Sequence, residues 1–323
     1  MINKSYLIKR TIIMLITIFF VIILNFILFR LLPGDPITLL YRNPALTSKQ
    51  IAMLHSQFGL DKPLWYQLII YIENSYIGNF GISFYWKAPV ISVIIPAIEN
   101  SLILLLPANL IAILLGIITG VISAWHNGTK LDGAILGISL AFYAMPTFWL
   151  GSMLIVVAIY IGGIPVVGMY SISFLGENLL MRFVDFLGHL ALPLITLTLV
   201  LYGEFTIIMR NSLLDVLSED YIVTAKSKGA NNNRILWKHA LPNGLLPLIS
   251  LIAINFGLII GGAMFTEIVF SWPGIGYITY LAIFARDYPV LQGVFFFVAI
   301  TVVLANYIAD FIYGYVDPRV RYE

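Results

Sequence analysis

Apolar positions in this chain fall in long unbroken runs, not in the alternation of a half-buried strand or the single stripe of a surface helix. A helix needs about 20 mostly apolar residues to cross the hydrocarbon of a bilayer. Six runs meet that length: Thr11–Leu32, Ser101–Ala124, Gly133–Gly163, Gly188–Arg210, Leu245–Phe270 and Val290–Tyr315. The third contains Met145-Pro146, and an internal proline there predicts a kink or break. The runs are separated by Pro33–Asn100, a short turn at His126–Asp132, Pro165–Leu187, Asn211–Gly244 and Ser271–Pro289. Within Pro33–Asn100, Leu64, Leu68, Tyr71, Ile72 and Ser75 recur at helical spacing, so Lys62–Ile77 reads as an amphipathic helix. Pro63 suits its first turn, and Gly78, Gly81 and Pro89 punctuate the stretch after it. This segment, 33–100, is expected to form a small external subdomain. No internal repeat or low-complexity tract is visible.

Composition points to lipid as the solvent. Of the 323 residues, 60% are hydrophobic and 11% charged, with a mean hydropathy of +0.95. A soluble domain carries about 25% charged residues. Lys4, Lys9 and Arg10 precede the first run, as in a secretory signal. The run continues to Phe29, however, and ends in Arg30-Leu31-Leu32-Pro33 without a small-residue cleavage site, so it reads as a retained span. The net charge of +2 gives no nucleic-acid signal. With no cysteine, disulfides, thiolate metal sites and cysteine nucleophiles are excluded.

Basic residues set the orientation. Lys4, Lys9, Arg10, Lys130, Arg210, Lys226, Lys228, Arg234, Lys238, Arg319 and Arg321 collect on one side, eleven of the 18. Both termini and the Asn211–Gly244 loop are therefore expected to be cytoplasmic. The chain then divides into 1–32 (N-terminus and first span), 33–100 (outside), 101–316 (a five-span core holding the loop 211–244) and the tail 317–323.

The loop is the most informative stretch. Asp220-Tyr221-Ile222-Val223-Thr224-Ala225-Lys226-Ser227-Lys228-Gly229-Ala230 reads as a short helix. Ser218 is expected to cap it, Glu219 and Asp220 to complement its dipole, and Gly229 to end it. Tyr221, Ile222, Ala225 and Gly229 would share a face, leaving Lys226 and Lys228 solvated. Taken alone, such a helix could equally lie on the membrane surface, where basic residues meet headgroups.

The string resembles the signature loop of ABC importer permeases, E-A-A-x-x-x-G followed by I-x-L-P. Gly229, Ala225 and Leu241-Pro242 match. Val223, Thr224 and His239 depart from that pattern. The fuller string is similar to the dipeptide/oligopeptide variant, D-Y-x-x-T-A-x-x-K-G with K-H-A-L-x-N-x-x-x-P. Asp220, Tyr221, Thr224, Ala225, Lys228 and Gly229 match its first part. Lys238, His239, Ala240, Leu241, Asn243 and Pro247 match its second. Arg30-Leu31-Leu32-Pro33-Gly34-Asp35-Pro36, Gly59-Leu60-Asp61-Lys62-Pro63-Leu64-Trp65, Glu267-Ile268-Val269-Phe270-Ser271-Trp272-Pro273-Gly274-Ile275-Gly276, Arg286-Asp287-Tyr288-Pro289 and Asp317-Pro318-Arg319 resemble the family in order along the chain. Each also has a plain structural reading as a helix stop or interfacial turn.

The resemblance implies an all-α, polytopic membrane protein of about six spans with the type I ABC importer permease fold, in the cytoplasmic membrane. It implies a second homologous permease subunit, two ATP-binding cassette ATPase subunits and an extracytoplasmic solute-binding protein as partners, beside the lipid bilayer. ATP and magnesium would belong to the ATPases. Asp220, Tyr221, Thr224, Ala225, Lys228, Gly229 and Ala230 would contact an ATPase. The external subdomain would cap the bundle or meet the binding protein. The cargo implied is a di- or oligopeptide, with nickel chelates, glutathione and oligosaccharides handled by the same family.

Ionisable residues within a bilayer are functional candidates. Glu267 and Asp310 are expected near helix ends, within reach of water. Glu204 lies about two turns inside its span, where it would face the translocation path or pair with Arg210 or another subunit. His189 reads as interfacial, and Gly257, Gly261 and Gly262 as a helix-packing stripe. No G-x-x-x-x-G-K-[ST], H-E-x-x-H or G-x-S-x-G string occurs, so the chain itself is expected to hydrolyse nothing. A secondary transporter would show buried carboxylates and an inverted repeat, and a membrane-embedded enzyme would show clustered His, Asp or Glu. Neither pattern is visible.

Overall fold

The computed structural model describes residues 4–31, 49, 62–171, 173, 178–258 and 263–316. The helices are α1 (Lys4–Leu31), α2 (Leu64–Tyr76), α3 (Val90–Trp125), α4 (Lys130–Ala144), α5 (Thr147–Ile161), α6 (Leu179–Leu217), α7 (Asp220–Ser227) and α8 (Asn232–Arg234). A π-helical turn (Ile235–Ala240) leads into α9 (Leu241–Gly244), α10 (Leu246–Leu258), α11 (Met264–Val269), α12 (Ile275–Ala285) and α13 (Tyr288–Val316). Among the described residues, extended pairing is confined to one bridge between Ile82 and Pro89. Among the described residues, four helices are long and apolar enough to cross a membrane, or five if the bent pair α4 and α5 counts as one span. The other expected span, Leu245–Phe270, contains α10 and α11, with 259–262 outside the described residues. The segments Pro33–Pro36 and Gly59–Asp61, the glycines 261 and 262, the surroundings of Gly257 and Asp310, and the tail 317–323 also lie outside them.

Helices run longer than the apolar runs alone suggest. α3 begins at Val90, inside the stretch expected to be external, and α6 continues to Leu217. Hydropathy marks the lipid-crossing part of a helix, while backbone hydrogen bonding continues until a cap stops it.

The chain forms two compact units, Met1–Glu99 with Gly274–Glu323, and Asn100–Pro273. In the first, α1, the start of α3, α12 and α13 close on a core of Ile22, Phe80, Val90, Ile94, Ile275, Val290 and Val294. At Gly293 an added Cβ would sit 2.7 Å from Ile94 Cδ1 and 2.9 Å from Val90 Cγ1, so α13 reaches α3 only because the side chain is missing. Asp287 is fully buried ahead of α13. Its carboxylate accepts from Ser83 Oγ (2.5 Å), Tyr85 N–H (3.0 Å) and, at the helix start, Val290 N–H (3.4 Å). One acidic side chain thus pins the Ser83–Tyr85 stretch and caps the start of α13.

In the second unit, the run Gly133–Gly163 is two 15-residue helices, α4 and α5, bent by 101°. Of the kink or break expected at the proline, the chain takes the break. Pro146 pushes its predecessor off the helical region, and Met145 is extended at φ −75°, ψ 129°. Helix α6 packs closely on two neighbours. Gly116 and Gly120 of α3, four residues apart, lie against Phe205 and Met209, where an added Cβ on Gly120 would stand 2.7 Å from Met209 Cβ. Gly203 of α6 faces the Ser139 carbonyl and Tyr143 of α4. The Thr119 and Thr206 hydroxyls meet across the α3–α6 seam at 3.0 Å.

Candidate functional site

The loop after α6 folds as one body. Ser218 does not cap α7 as expected. It closes α6, its Oγ donating to the Asp215 carbonyl at 2.7 Å, while extended Glu219 precedes α7 without a side-chain cap bond. α7 has eight residues, about 12 Å at 1.5 Å per residue. Ile222 is fully buried among Leu213, Met209, Ile235, Ala240 and Leu248. Tyr221, Val223, Thr224, Lys226, Ser227 and Lys228 are exposed and Ala225 is half-buried. The helix is therefore fixed by one apolar contact and presents most of its surface outward. Tyr221, Ile222 and Gly229 do not share one environment.

α7 ends in a Schellman motif. Gly229 N–H donates to the Lys226 carbonyl (2.9 Å) and Ala230 N–H to the Ala225 carbonyl (3.1 Å). Gly229 takes φ +79°, and a Cβ added there would meet nothing within 4 Å. Glycine is required within this chain by backbone conformation, not by crowding. Asn231 then caps α8, its Oδ1 accepting from Arg234 N–H at 2.8 Å. The wide π turn after α8 carries the chain to Pro242, which has no N–H to offer the preceding turn.

The two halves of the loop are tied by side chains. Asn243 Nδ2 donates to the Tyr221 hydroxyl (2.8 Å) and to the His239 carbonyl (3.2 Å), and the Tyr221 hydroxyl donates to the same carbonyl at 3.4 Å. Ser212 Oγ donates to the Gly244 carbonyl at 2.8 Å, fixing the loop's end to α6. Any displacement of α7 must therefore move the Leu241–Gly244 turn and, through Ser212 and Ile222, the end of α6.

Beside the loop sits a second fixed point. Arg210 forms a two-pronged pair with Asp132, Nε to Oδ1 at 2.7 Å and Nη2 to Oδ2 at 2.8 Å. Ser123 Oγ (2.6 Å) and Gly128 N–H (2.9 Å) also donate to this carboxylate, and Arg210 Nη2 reaches Asn127 Oδ1 at 3.1 Å. The α3–α4 turn is thus riveted to α6. Of the alternatives for Glu204, pairing with Arg210 is not the one formed: Arg210 is committed to Asp132, and Glu204 is half-buried. Glu267, expected within reach of water, is fully buried and accepts from Ser101 Oγ at 2.7 Å. His189, expected at the interface, is buried, with Nδ1 2.9 Å from the Asp185 carbonyl oxygen.

Sequence reasoning did not single out Asp132 or assign Asn243 a contact. A Thr129-x-x-Asp132 helix start was a usable signal, since Thr129 Oγ1 accepts from Asp132 N–H at 3.4 Å. Nothing local pointed to Arg210, 78 residues away. Among the described residues, no three His, Asp or Glu side chains are grouped to hold a metal ion.

The family described as the inner membrane component of binding-protein-dependent transport systems matches residues 112–322, and its N-terminal companion matches residues 3–105. The chain is 34% identical to the dipeptide transport system permease protein DppB of Escherichia coli K12, covering 99% of both. It is 35% identical to the oligopeptide transport system permease protein AppB of Bacillus subtilis, covering 98% of this chain and 99% of that one. The glutathione transport system permease protein GsiC of E. coli K12 is 32% identical over 99% of both chains. A chain from an inward-facing MetNI methionine ABC transporter superposes with a TM-score of 0.55 at 19% identity, over 70% of this chain and 97% of that chain, which shows a common fold.

Proposed function

This chain belongs to the family of inner membrane components of binding-protein-dependent transport systems, and we propose that it is the permease subunit of an ATP-driven importer of di- or oligopeptides. The observation that carries the peptide assignment is end-to-end similarity to relatives named for dipeptide and oligopeptide transport. The loop geometry supports its role as the mechanical link. An ATPase subunit takes hold of α7 through Asp220, Tyr221, Thr224, Ala225, Lys228, Gly229 and Ala230. Its motion passes through buried Ile222 and the Tyr221–Asn243 bond into α6.

On this reading the chain lies in the inner membrane with both termini and the 211–244 loop in the cytoplasm, and residues 33–100 largely outside. A second homologous permease completes the path, two ATPase subunits hold ATP and magnesium, and a solute-binding protein delivers the peptide. Glu204 lines the path. Transport couples to ATP because the cargo binds the outward- and inward-open states differently. This chain hydrolyses nothing itself.

Reconstitution with its ATPases and binding protein tests the assignment. ATP-dependent uptake of a labelled dipeptide or oligopeptide, with no uptake of a nickel chelate or an oligosaccharide, is expected. Uptake of a chelate or sugar instead of peptide would overturn the substrate. Ion-gradient-driven uptake without ATPases would overturn the importer reading.

A further inference from the structure

Helix α2 packs half-buried Tyr71 and Ile72 on the core of its unit. Its two most buried side chains are polar: Gln67 and Ser75 are 6% and 5% exposed. Gln67 Nε2 donates to the Lys62 carbonyl at 2.7 Å. Its open face is apolar and aromatic, with Trp65, Ile69 and Tyr76 exposed at 65%, 45% and 74%, and Ile77 just beyond. At 100° per residue, Trp65, Ile69 and Tyr76 fall within about 40° of one another, with Glu73 at the flank. In water such a face would leave several large apolar side chains uncovered, each worth about 1.5–3 kcal/mol on burial.

The position of α2 on α1 indicates what covers it. Asn25 Nδ2 of α1 donates to the Tyr71 hydroxyl at 2.9 Å, and the Phe26 and Tyr71 rings lie 5.7 Å apart. Tyr71 is near the middle of α2, and Asn25 is seven residues before the end of the apolar run Thr11–Leu32. At 1.5 Å per residue this holds the middle of α2 about 10 Å inside the end of that run. That is the depth at which amphipathic helices lie in the headgroup and acyl boundary, about 5–10 Å. Tryptophan and tyrosine are the residues favoured there. The exposed band of α1 itself, Phe19, Phe20, Leu24, Ile27 and Leu28, is continuous in character with this face.

We propose that α2 is an interfacial anchor whose Trp65–Ile69–Tyr76 face is seated in lipid, in the outer leaflet when both termini are cytoplasmic. The inference rests on α1 being a membrane span and is independent of the cargo. The bilayer, not the binding protein, is the partner of this face.

Because the chain has no cysteine, Trp65→Cys, Ile69→Cys, Tyr76→Cys and Glu73→Cys each give one attachment point for a nitroxide spin label. The full-length variants would be reconstituted in vesicles of phosphatidylethanolamine and phosphatidylglycerol. Collision with oxygen, which concentrates in lipid, would be compared with collision with a water-soluble nickel chelate, before and after adding the solute-binding protein. Positions 65, 69 and 76 should favour oxygen several-fold over position 73, without response to the binding protein. Nickel-favouring collision at all three would mean a water-facing helix and would overturn the proposal. So would immobilisation of labels 69 and 76 on adding the binding protein, which would identify a protein docking face. Three independent sites protect the test against a local disturbance at any one.

Discussion

The Tyr221 hydroxyl accepts a hydrogen bond from Asn243 at 2.8 Å across 22 residues of sequence, joining the first and last parts of the loop into one rigid piece. A hydrogen bond of this kind contributes about 0.5–1.5 kcal/mol net. Tyr221→Phe and Asn243→Ala should each leave membrane levels unchanged and lower uptake relative to ATP hydrolysed by about 2- to 10-fold, by that energy. In the double variant the loss should fall short of the sum, because the shared bond is removed only once, while each side chain also gives up its own bond to the His239 carbonyl. Additive losses in coupled uptake would mean that the two side chains act separately.

Gly229 offers a way to separate backbone from bulk. At φ +79° with open space around it, Gly229→Leu should cost about 1–2 kcal/mol of backbone strain, leave the protein in the membrane and uncouple uptake. Asparagine tolerates this conformation far better than leucine. Recovery of uptake in Gly229→Asn would assign the effect to the turn. Loss in both variants, with ATPase co-purification reduced, would assign it to the room a partner needs.

The Arg210–Asp132 pair is predicted to hold up stability. Its side chains are only 13% and 6% exposed. Removing one partner of a buried pair costs about 3–5 kcal/mol, because the other charge is left uncompensated. Asp132→Ala should lower the unfolding temperature of the detergent-purified chain well below that of Glu204→Gln. Asp132→Ala with Arg210→Met should recover much of the loss. Equal stability of all three variants would show that the pair is incidental.

Orientation is checked by thiol labelling in intact cells. Cysteine at Asn232 should resist an impermeant reagent, and cysteine at Asn74 should react. The reverse pattern would invert the protein in the membrane.

The spans and the loop were legible because they rest on local signals: runs of apolar residues, Pro146, and a glycine that ends a helix. The hidden features depend on residues meeting across the fold. Gly116 and Gly120 carry the close helix contact with α6, whereas the stripe singled out by sequence was Gly257, Gly261 and Gly262. The facing side chains, Phe205 and Met209, reveal the first contact, and the surroundings of the second stripe lie outside the described residues. Arg210 had two carboxylates to choose between. Asp132 took it because Ser123 and Gly128 already point donors at the same group, orienting the carboxylate to receive a two-pronged partner. Ser218 looked like the start of α7 because α6 was expected to stop at Arg210, and its extension to Leu217 turned that serine into an end.

The mechanism proposed for the loop depends most on the outward face of α7 being held by an ATPase subunit. Thr224 and Lys228 are exposed on that helix while Ile222 is buried beneath it. A photo-crosslinker placed at Thr224 or Lys228 in the assembled transporter measures this directly. The expected result is an adduct to the ATPase subunit whose yield changes when ATP is added. Crosslinking to lipid alone, with no ATPase adduct from either position, would contradict that mechanism and leave α7 as a helix resting on the membrane surface.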